Sequence, residues 1–480
     1  MRIPDSSLSA DEVRARLQAL RGADLDWRSG RAFGYVYHVG DDIDGVARSA
    51  FSDFLFENTL DPTEFPSLLS LENQIVAMCI DHLGGDEACV GNVTAGGTES
   101  IMAAGKAARD AFARSHPGVV PQMLMPRTAH AAFAKSAHYL GFEPVIVEVD
   151  PVTFRADPAA MEAAMTDRTA WMVASASGYA HGVVDPISEI GAIAESRGVR
   201  LHVDACIGGF VLPFFRELGD PVPAFDLSVP GVTSISMDLH KYAFCPKGAS
   251  VVLHRTAALR ADQLSVVTDW SGYVLINPGV LSSRSGGPLA AAWAVLHHVG
   301  RQGYRELARG LREARDQVVA VVDETPGLQV LGRPEMCLVA ITSTDPDVEI
   351  LHVADLLVRR GWYVQPQLSV ASSPRNLHLS LMPANVPHMD AFVADLVACT
   401  EEARTAASPT VPAPLQQALA QIDLAALDEA SMNQLLAGAG LGGDGTLPED
   451  RAVINLVLDQ LSPTQRGHVL RWYFNGLYTV

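Results

Sequence analysis

Lys241 is the strongest candidate for a chemically active residue. It lies in the segment His240-Lys241-Tyr242, which follows the apolar run Ser234–Met237. Burial disfavours the charged form of a lysine and lowers the pKa of its amine. The neutral amine is a nucleophile that can form a Schiff base with a carbonyl compound. A lone lysine at the end of a strand is more often a solvated surface residue, so the interpretation depends on other parts of the chain.

Asp204 ends a second apolar run, Val199–Val203. An aspartate at the carboxyl edge of a sheet can keep the ring nitrogen of pyridoxal 5'-phosphate (PLP) protonated, which makes the ring an electron sink. The alternative is a helix N-cap. His130 follows a third strand candidate, where an imidazole could stack on a flat cofactor ring, although an isolated histidine is more often structural.

Gly96 and Gly97 precede a long helical pattern, Thr98–Arg114. Two glycines allow the backbone to approach a ligand closely, and the free N–H groups of a helix N-terminus suit a phosphate. A glycine turn followed by Thr98 as N-cap, with Glu99 close behind, is the plainer alternative. A glycine turn, a strand-end histidine, a strand-end aspartate and a His-Lys pair occur in the order that a fold-type I PLP enzyme needs. The set predicts PLP as the cofactor.

These residues require a sheet that brings strand ends together. Apolar strand-like runs alternate with helical segments from about residue 70 to 255, which predicts an α/β domain with a mainly parallel, seven-stranded-type sheet. A glycine break near Gly300–Gly303 interrupts a long helical region, Pro288–Thr325. The predicted units are an N-terminal segment 1–57, a large PLP-binding domain 58–310, a small C-terminal α+β domain 311–405, a Pro/Ser/Ala linker 406–414 and a helical extension 415–480.

Composition excludes several classes of function. The chain has 480 residues and a net charge of −20, which argues against a nucleic-acid partner. No apolar run reaches the roughly 18 residues of a membrane-spanning helix, and the N-terminus has no apolar signal core. Six scattered cysteines form no Cys-x-x-Cys pair, so we predict no zinc or other metal site. A cytoplasmic protein without a transmembrane segment is expected.

Longer motifs make the sequence resemble the sphingosine-1-phosphate lyase family within the group II PLP-dependent decarboxylases, from about residue 30 to 400. The matching segments are Asn58–Pro66, Val93–Ser100, His130–Phe133, His181–Pro186, His202–Phe210, Gly231–Ser236, His240–Tyr242, Pro246–Gly248, Thr268–Trp270 and Ser283–Gly287. Gly-Gly-Thr and His-Lys are shared by many PLP decarboxylases. The Gly-Val-Thr-Ser-Ile-Ser, His-Lys-Tyr and Pro-Lys-Gly series is much more specific to the lyases.

The resemblance implies a role for each matched residue. Lys241 would carry the cofactor, Asp204 would pair with the pyridine nitrogen and His130 would lie on the ring face. Gly96, Gly97, Thr98 and His240 would hold the cofactor phosphate, with Ser283 and Gly286 approaching from the partner subunit of an obligate homodimer whose active sites lie at the interface. Tyr37, Lys247 and Tyr179 would line the substrate side, and Tyr179 and Lys247 are candidates for proton handling or head-group contact.

One departure from the family concerns the substrate. Where family members have Asn-Pro-Leu-His, this chain has Asn58-Thr-Leu-Asp61, and the family histidine helps to receive the substrate phosphate. A poorly screened carboxylate at Asp61 would repel a phosphate by several kcal/mol at an effective dielectric of about 20. Ala180 and Ser285 replace two family prolines, which are milder changes.

The sequence therefore predicts a carbon–carbon lyase that cleaves a phosphorylated long-chain amino alcohol to an aldehyde and phosphoethanolamine. The expected partner is a small-molecule amine, lipid-derived if the resemblance extends to the substrate. An amino-acid decarboxylase that releases CO₂ is the alternative, which Asp61 favours because a carboxylate suits a cationic or hydroxylated substrate. A non-catalytic binding protein with a PLP fold is a third interpretation.

Overall fold

The structure is a computed structural model that describes residues 2–411, 413, 416 and 450–478. Its large sheet has seven strands in the order β1-β7-β6-β5-β4-β2-β3. The strands are β1 (Val90–Thr94), β2 (Gln122–Pro126), β3 (Glu143–Val147), β4 (Thr169–Ser175), β5 (Arg200–Asp204), β6 (Val232–Asp238) and β7 (Ser250–His254). Strands β2 to β6 are parallel to one another, whereas β7 is antiparallel to both of its neighbours, β1 and β6. The predicted mainly parallel sheet is confirmed.

Helices lie on both faces of this sheet, and further helices occur in the rest of the chain. In chain order they are α1 (Ala10–Leu20), α2 (Asp41–Asp53), α3 (Pro66–His82), α4 (Gly97–Ser115), α5 (Ala131–Leu140), α6 (Pro158–Ala163), α7 (Ile187–Arg197), α8 (Leu212–Glu217), α9 (Ala257–Arg260), α10 (Gly287–Glu324), α11 (Ile350–Arg359), α12 (Met389–Thr405), α13 (Ala452–Gln460) and α14 (Pro463–Leu477). Strands β4, β6 and β7 are buried along almost their whole length, since helices lie over both of their faces.

Two smaller sheets complete the fold. An antiparallel hairpin joins β8 (Ser265–Val267) to β9 (Leu275–Asn277). A four-stranded antiparallel sheet then has the order β10-β11-β13-β12. Its strands are β10 (Leu328–Val330), β11 (Leu338–Ser343), β12 (Gln365–Gln367) and β13 (Asn376–Ser380). With α11 and α12 this sheet forms the smaller α+β unit that the sequence predicts.

Helix α10 links the two units. It runs over 38 residues with a kink at Gly300, whose φ of 60° and ψ of 169° lie outside the helical region. Glycine adopts a positive φ at no steric cost, which explains why the break lies at this residue. The predicted break near Gly300–Gly303 is confirmed.

The predicted linker 406–414 lies partly, and the predicted helical extension 415–480 lies mostly, outside the described residues. Within 450–478, α13 packs against α11 of the small domain. None of the helices in the described part of the chain has the length and apolar character needed to cross a membrane.

Candidate active site

The site lies at the carboxyl edge of the large sheet, where three parallel strands end side by side. Ser175 at the end of β4 pairs in register with Asp204 at the end of β5, and Asp204 pairs with Ser236 of β6. Asp238 is the last residue of β6. Parallel α/β sheets bind their ligands at this edge, because the strand ends and the following loops converge there.

A cavity of 570 Å³ opens at this edge. Most of the residues predicted to bind the cofactor line it, together with Tyr179. The lining includes Gly96, Gly97, Thr98, His130, Ser175, Ser177, Tyr179, Asp204, Cys206, Asp238, His240 and Lys241. The structure thus brings together residues that are more than 100 positions apart in the sequence.

Lys241 lies three residues beyond β6 and forms an ion pair inside the cavity. Its Nζ is 3.0 Å from Oδ2 of Asp238, whose side chain is 3% exposed. Burial disfavours the ammonium, but the carboxylate of Asp238 and other neighbouring groups outweigh this effect and raise the pKa of Lys241 above its ordinary value. Without bound cofactor, Lys241 is therefore a cation held by Asp238, rather than the neutral amine that burial alone predicts.

Asp238 also contacts the glycine turn. A Cβ added to Gly97 would lie 2.8 Å from Oδ1 of Asp238 and 2.8 Å from Sγ of Cys206, so only glycine fits there. His240 Nε2 is 3.6 Å from the same carboxylate. Burial would raise the pKa of Asp238, but Lys241 and His240 outweigh it and the pKa is lowered, so the carboxyl group is ionised at neutral pH.

The glycine turn leads directly into α4. The N-cap of α4 is Gly96, which provides no side-chain hydrogen bond to the first turn. The alternative with Thr98 as N-cap is therefore wrong, because the helix already begins at Gly97. The carboxylate of Glu99 instead accepts hydrogen bonds from the backbone N–H groups of Ala95, at 2.7 Å, and of Val280, at 2.6 Å. The uncapped first turn presents free backbone N–H groups to the cavity, which favour an anion.

Asp204 and His130 both line the cavity. Oδ1 of Asp204 accepts a hydrogen bond of 3.1 Å from the backbone N–H of Cys206, which fixes the carboxylate at the end of β5. Nδ1 of His130 accepts a hydrogen bond of 3.1 Å from the backbone N–H of Ala132 at the start of α5. This bond assigns the neutral ring proton to Nε2, so His130 caps a helix and also presents its ring to the cavity.

Tyr179 lines the same cavity opposite His130. Its hydroxyl donates a hydrogen bond of 2.8 Å to Oε1 of Gln365, and its ring stacks on His378 with centroids 4.4 Å apart. The rings of Tyr179 and His130 meet edge to face at 6.4 Å. Burial raises the pKa of the Tyr179 phenol, so this group is a hydrogen-bond donor at neutral pH.

Tyr37 and Lys247 form an adjoining pair outside the residues that line the main cavity. Nζ of Lys247 lies 4.8 Å from the centroid of the Tyr37 ring and donates a hydrogen bond of 3.3 Å to the carbonyl of His240. Burial and repulsion from Lys241 lower the pKa of Lys247 to about 8. Burial also raises the pKa of Tyr37 well above its ordinary value, which keeps that phenol neutral.

Three further predicted residues also lie outside the lining of the main cavity. Ser283 lines a smaller neighbouring cavity of 230 Å³, and Gly286 is the N-cap of α10. Asp61 is exposed, and its Oδ1 accepts hydrogen bonds from the backbone N–H and the hydroxyl of Thr63 at 2.8 and 2.6 Å. These bonds lower the pKa of Asp61, so it is a carboxylate at neutral pH.

Sequence reasoning missed four polar residues of the cavity. They are Ser175, Ser177, Cys206 and Asp238. Asp238 has the same sequence feature as Asp204, because each is an acid that ends an apolar strand. It was not predicted, because the adjacent His240-Lys241 pair already accounted for the chemistry of that segment. The serines carry no distinguishing pattern, and only the folded sheet shows that they face the cavity.

The residues present fit PLP. Four buried polar atoms at the cavity have no hydrogen-bond partner among the described residues: Oγ of Ser175, Oγ of Ser177, Oδ1 of Asp238 and Nδ1 of His240. Buried polar groups are nearly always paired, so these atoms indicate a polar ligand. An amine, an acid at a strand end and a helix N-terminus also supply partners for the aldehyde, the ring nitrogen and the phosphate of PLP.

Comparison with known proteins agrees with this chemistry. The model of the pyridoxal-dependent decarboxylase conserved domain matches residues 25–343. A second model, a C-terminal HTH domain of pyridoxal-dependent enzymes, matches residues 413–476. The cofactor of the chain is accordingly PLP.

Individual relatives show which family within the PLP-dependent decarboxylases the chain is similar to. Sphingosine-1-phosphate lyase of Oryza sativa is 37% identical over 404 residues, which cover 82% of this chain and 73% of the relative. The structure of a sphingosine-1-phosphate lyase of Burkholderia pseudomallei is similar with a TM-score of 0.80 and 36% identity, over 84% of this chain and 93% of that one. Glutamate decarboxylase of Lactobacillus brevis, at 21% identity and a TM-score of 0.74, shares the fold. The chain belongs to the sphingosine-1-phosphate lyase family of PLP-dependent decarboxylases.

Proposed function

We propose that this PLP-dependent lyase cleaves a phosphorylated long-chain amino alcohol to a long-chain aldehyde and phosphoethanolamine. The observation that carries the proposal is the placement of Lys241, Asp204 and the uncapped start of α4 around one cavity, in a chain that is 37% identical to a sphingosine-1-phosphate lyase. A carbon–carbon lyase of this type needs an electron sink, a route for one proton and a binding site for the head group.

The residues that would hold PLP follow from the cavity. The backbone N–H groups of Gly97 and Thr98, with His240, would bind its phosphate. Asp204 would keep the ring nitrogen protonated, His130 would lie against the ring and Lys241 would carry the cofactor through its amine. When bound, PLP accepts the electron pair that the cleaved bond releases.

The reaction breaks the bond between the carbon that bears the amine and the carbon that bears the hydroxyl. The hydroxyl loses its proton and its carbon becomes the aldehyde, while the amine-bearing carbon takes up a proton and leaves as phosphoethanolamine. The two products together contain the atoms of the substrate, so no oxidant or reductant is needed. The protein must therefore orient the breaking bond and move one proton.

Two neighbours of the cavity suit the proton step. His130 Nε2 carries the ring proton, because Nδ1 is occupied by the backbone of Ala132. The phenol of Tyr179 donates its proton to Gln365 at 2.8 Å, so its oxygen can accept a hydrogen bond from a substrate hydroxyl. We assign Tyr179 to a hydrogen bond with the substrate hydroxyl. We assign His130 to the orientation of the cofactor ring, against which it would lie. Lys241 is the group that returns a proton to the amine-bearing carbon.

The Lys247–Tyr37 pair would receive the substrate phosphate. The Lys247 ammonium is the cation of this pair, and the neutral Tyr37 phenol adds a hydrogen-bond donor beside it. A cation and a phenol that meet next to the cavity are the feature expected of a lyase with an anionic substrate. An amino-acid decarboxylase whose substrate has no second anionic group would have no use for such a site.

We further propose that the enzyme is a homodimer with its active sites at the interface. The hairpin β8–β9 and the segment after it expose a group of large apolar side chains: Val266, Trp270, Tyr273, Val274, Ile276, Val280 and Leu281. An exposed patch of this kind marks a protein interface. Val280 and Leu281 also line the main cavity, so a partner seated here would reach the active site, and Ser283 and Gly286 would serve the cofactor phosphate of the partner.

Product analysis by mass spectrometry tests the proposed function. Purified protein with added PLP is incubated with a phosphorylated sphingoid base and, separately, with a panel of amino acids; Lys241→Ala is the inactive control. We expect long-chain aldehyde and phosphoethanolamine from the wild type alone. Amine and CO₂ from an amino acid, without cleavage of the sphingoid base, would establish the decarboxylase instead and make Asp61 the residue that selects the substrate.

A further inference from the structure

A second cavity of 360 Å³ adjoins the active site. It shares two lining residues with the main cavity, His130 and Tyr179, so these two rings form the wall between the cavities. The far side of the second cavity is formed by the segment Leu368–Ser373, which follows strand β12.

The lining of this second cavity is largely apolar or neutral. Val149 and Phe154 contribute apolar surface, and His181 stacks on Phe154 with ring centroids 4.0 Å apart. Burial lowers the pKa of His181 to about 4, so its ring is uncharged at neutral pH. The guanidinium of Arg127 at the rim forms an ion pair with Glu148. Such a lining suits a hydrocarbon group rather than an ion.

Helix α13, near the C-terminal end of the chain, holds the segment Leu368–Ser373 in place by hydrogen bonds. Asp459 of α13 accepts a hydrogen bond of 2.6 Å from the backbone N–H of Ser369 and one of 2.9 Å from its hydroxyl. The same carboxylate lies 3.4 Å from Arg375, and its side chain is 9% exposed. Because two of its contacts go to one residue, Asp459 fixes both the position and the direction of the segment.

Helix α13 is itself firmly docked on the small domain. The buried carboxylate of Asp355 in α11 accepts hydrogen bonds from the backbone N–H groups of Arg451 and Ala452, both at 2.9 Å, and thereby caps the start of α13. Ile454 and Val457 are buried on its inner side. A docked helix can hold a loop of another element in a fixed place.

We propose that the second cavity receives the hydrocarbon chain of the substrate and that Asp459 is the positioning residue that fixes its outer wall. The inference rests on the proposed function, because it assigns the apolar end of the same substrate. Its physical basis is adjacency: His130 and Tyr179 line both cavities, so a molecule that reacts beside these rings can direct its chain past them toward the second cavity. The C-terminal extension would then act on substrate choice without touching the reacting atoms.

The test compares two phosphorylated amino alcohols that differ only in chain length, one short and one long, with the full-length PLP-loaded enzyme. For Asp459→Ala we expect KM for the long substrate to rise about tenfold, the effect of losing hydrogen bonds to a charged group. Its kcat and both constants for the short substrate should stay within twofold. Asp459→Asn, which keeps an acceptor for the N–H of Ser369, should recover part of the loss.

The matched control is Asp450→Ala. Asp450 lies just before α13 and forms an exposed ion pair of 2.6 Å with Arg359, away from the segment Leu368–Ser373. It should leave both substrates unaffected. A loss for Asp450→Ala equal to that for Asp459→Ala, or equal losses for the two chain lengths, would overturn the proposal.

A second variant probes the cavity directly. Ala131 is an exposed residue of its lining, so Ala131→Phe fills space without disturbing the core. We expect it to raise KM for the long substrate and to spare the short one; an unchanged ratio would place the hydrocarbon chain elsewhere. Failure of the wild type to cleave either substrate would instead refute the proposed function, so the two failures are distinguishable.

Discussion

Nζ of Lys241 lies 3.0 Å from the carboxylate of Asp238. Asp238 is the last residue of strand β6, and Lys241 follows it three positions later. The carboxylate of Asp238 is buried. It fixes the amine in the cavity, but it also keeps that amine protonated, and a protonated amine cannot attack the aldehyde of the cofactor. If Lys241 carries the cofactor, as proposed, Asp238 sets both the position of its amine and the pH at which the amine can react.

The first prediction concerns Asp238→Asn. Loss of the carboxylate leaves burial as the main influence on Lys241, so the pKa of the amine falls and the neutral form exists at lower pH. We expect the pH midpoint of Schiff-base formation, followed by the visible absorbance of the bound cofactor, to move down by at least one unit. Turnover should drop on the order of 10²-fold, because the amine is no longer held in place.

Asp226→Asn is the matched control, since Asp226 is also a buried acid, with an ion pair of 3.1 Å to Arg216, but lies outside the cavity. It should change thermal stability without moving the absorbance midpoint. An unchanged midpoint in Asp238→Asn would mean that Asp238 does not govern the protonation of Lys241.

The second prediction is a pH dependence of substrate affinity. The pKa of Lys247 is lowered to about 8, so the side chain is a cation below pH 8 and becomes neutral above it. If Lys247 binds the substrate phosphate, KM should rise as the pH increases through 8. Arginine stays charged throughout this range, so Lys247→Arg should flatten the rise, measured as KM between pH 6.5 and 9.5.

Lys247→Met removes the charge at all pH values and should raise KM at pH 7 about tenfold, with little change in kcat. If Lys247→Met kept the pH dependence of the wild type, the titrating group would be another residue and Lys247 would not bind the substrate phosphate.

The sequence was sufficient to predict the sheet and the centre of the site. The predicted runs Val199–Val203 and Ser234–Met237 correspond to β5 and β6 within two residues at each end, because strands buried on both faces are rich in apolar residues. Lys241 and Asp204 were identifiable because a polar residue directly after such a run must lie at the sheet edge. Asp238 also lies at the end of such a run, so it could have been predicted in the same way.

Other features could not be predicted, since they depend on contacts between distant segments. The bond between Ser369 and Asp459 joins residues 90 positions apart, and neither has an unusual neighbourhood in the sequence. Strand β1 was not predicted, because its sequence Val-Gly-Asn-Val-Thr does not form an apolar run. In the proposed dimer, the place of Ser283 relative to a bound cofactor would depend on a second chain, which no pattern within one chain describes.

The third prediction tests the proposed dimer. Ile276 in β9 pairs with Val266 in β8 and is 56% exposed. Ile276→Asp puts a charge in the middle of the apolar hairpin surface, where burial against a partner would be costly. We expect light scattering to show twice the chain mass of 51.2 kDa for the wild type and the single chain mass for the variant, with loss of activity.

Val152→Asp provides the comparison, because Val152 is 74% exposed on a different surface. It should leave the mass and the activity unchanged. A wild type that is monomeric and active would refute the interface.

The fourth prediction concerns Asp61, the residue that departs from the family. Its carboxylate is exposed and bonded to Thr63, so water and these donors screen its charge. Because water screens an exposed charge strongly, Asp61→Asn should lower KM for the phosphorylated substrate by no more than about fivefold. Asparagine keeps an acceptor for Thr63, and the turn should survive.

The measurement compares KM for the phosphorylated substrate with that for the same amino alcohol without phosphate. A carboxylate that acts only through charge should affect the phosphorylated compound alone. Asp61→His, which introduces the family residue, should lower KM further below pH 6.5, where the imidazole is protonated, than above it. Equal changes for both compounds would show that Asp61 acts through the shape of the turn, since a change in backbone position does not depend on the charge of the ligand.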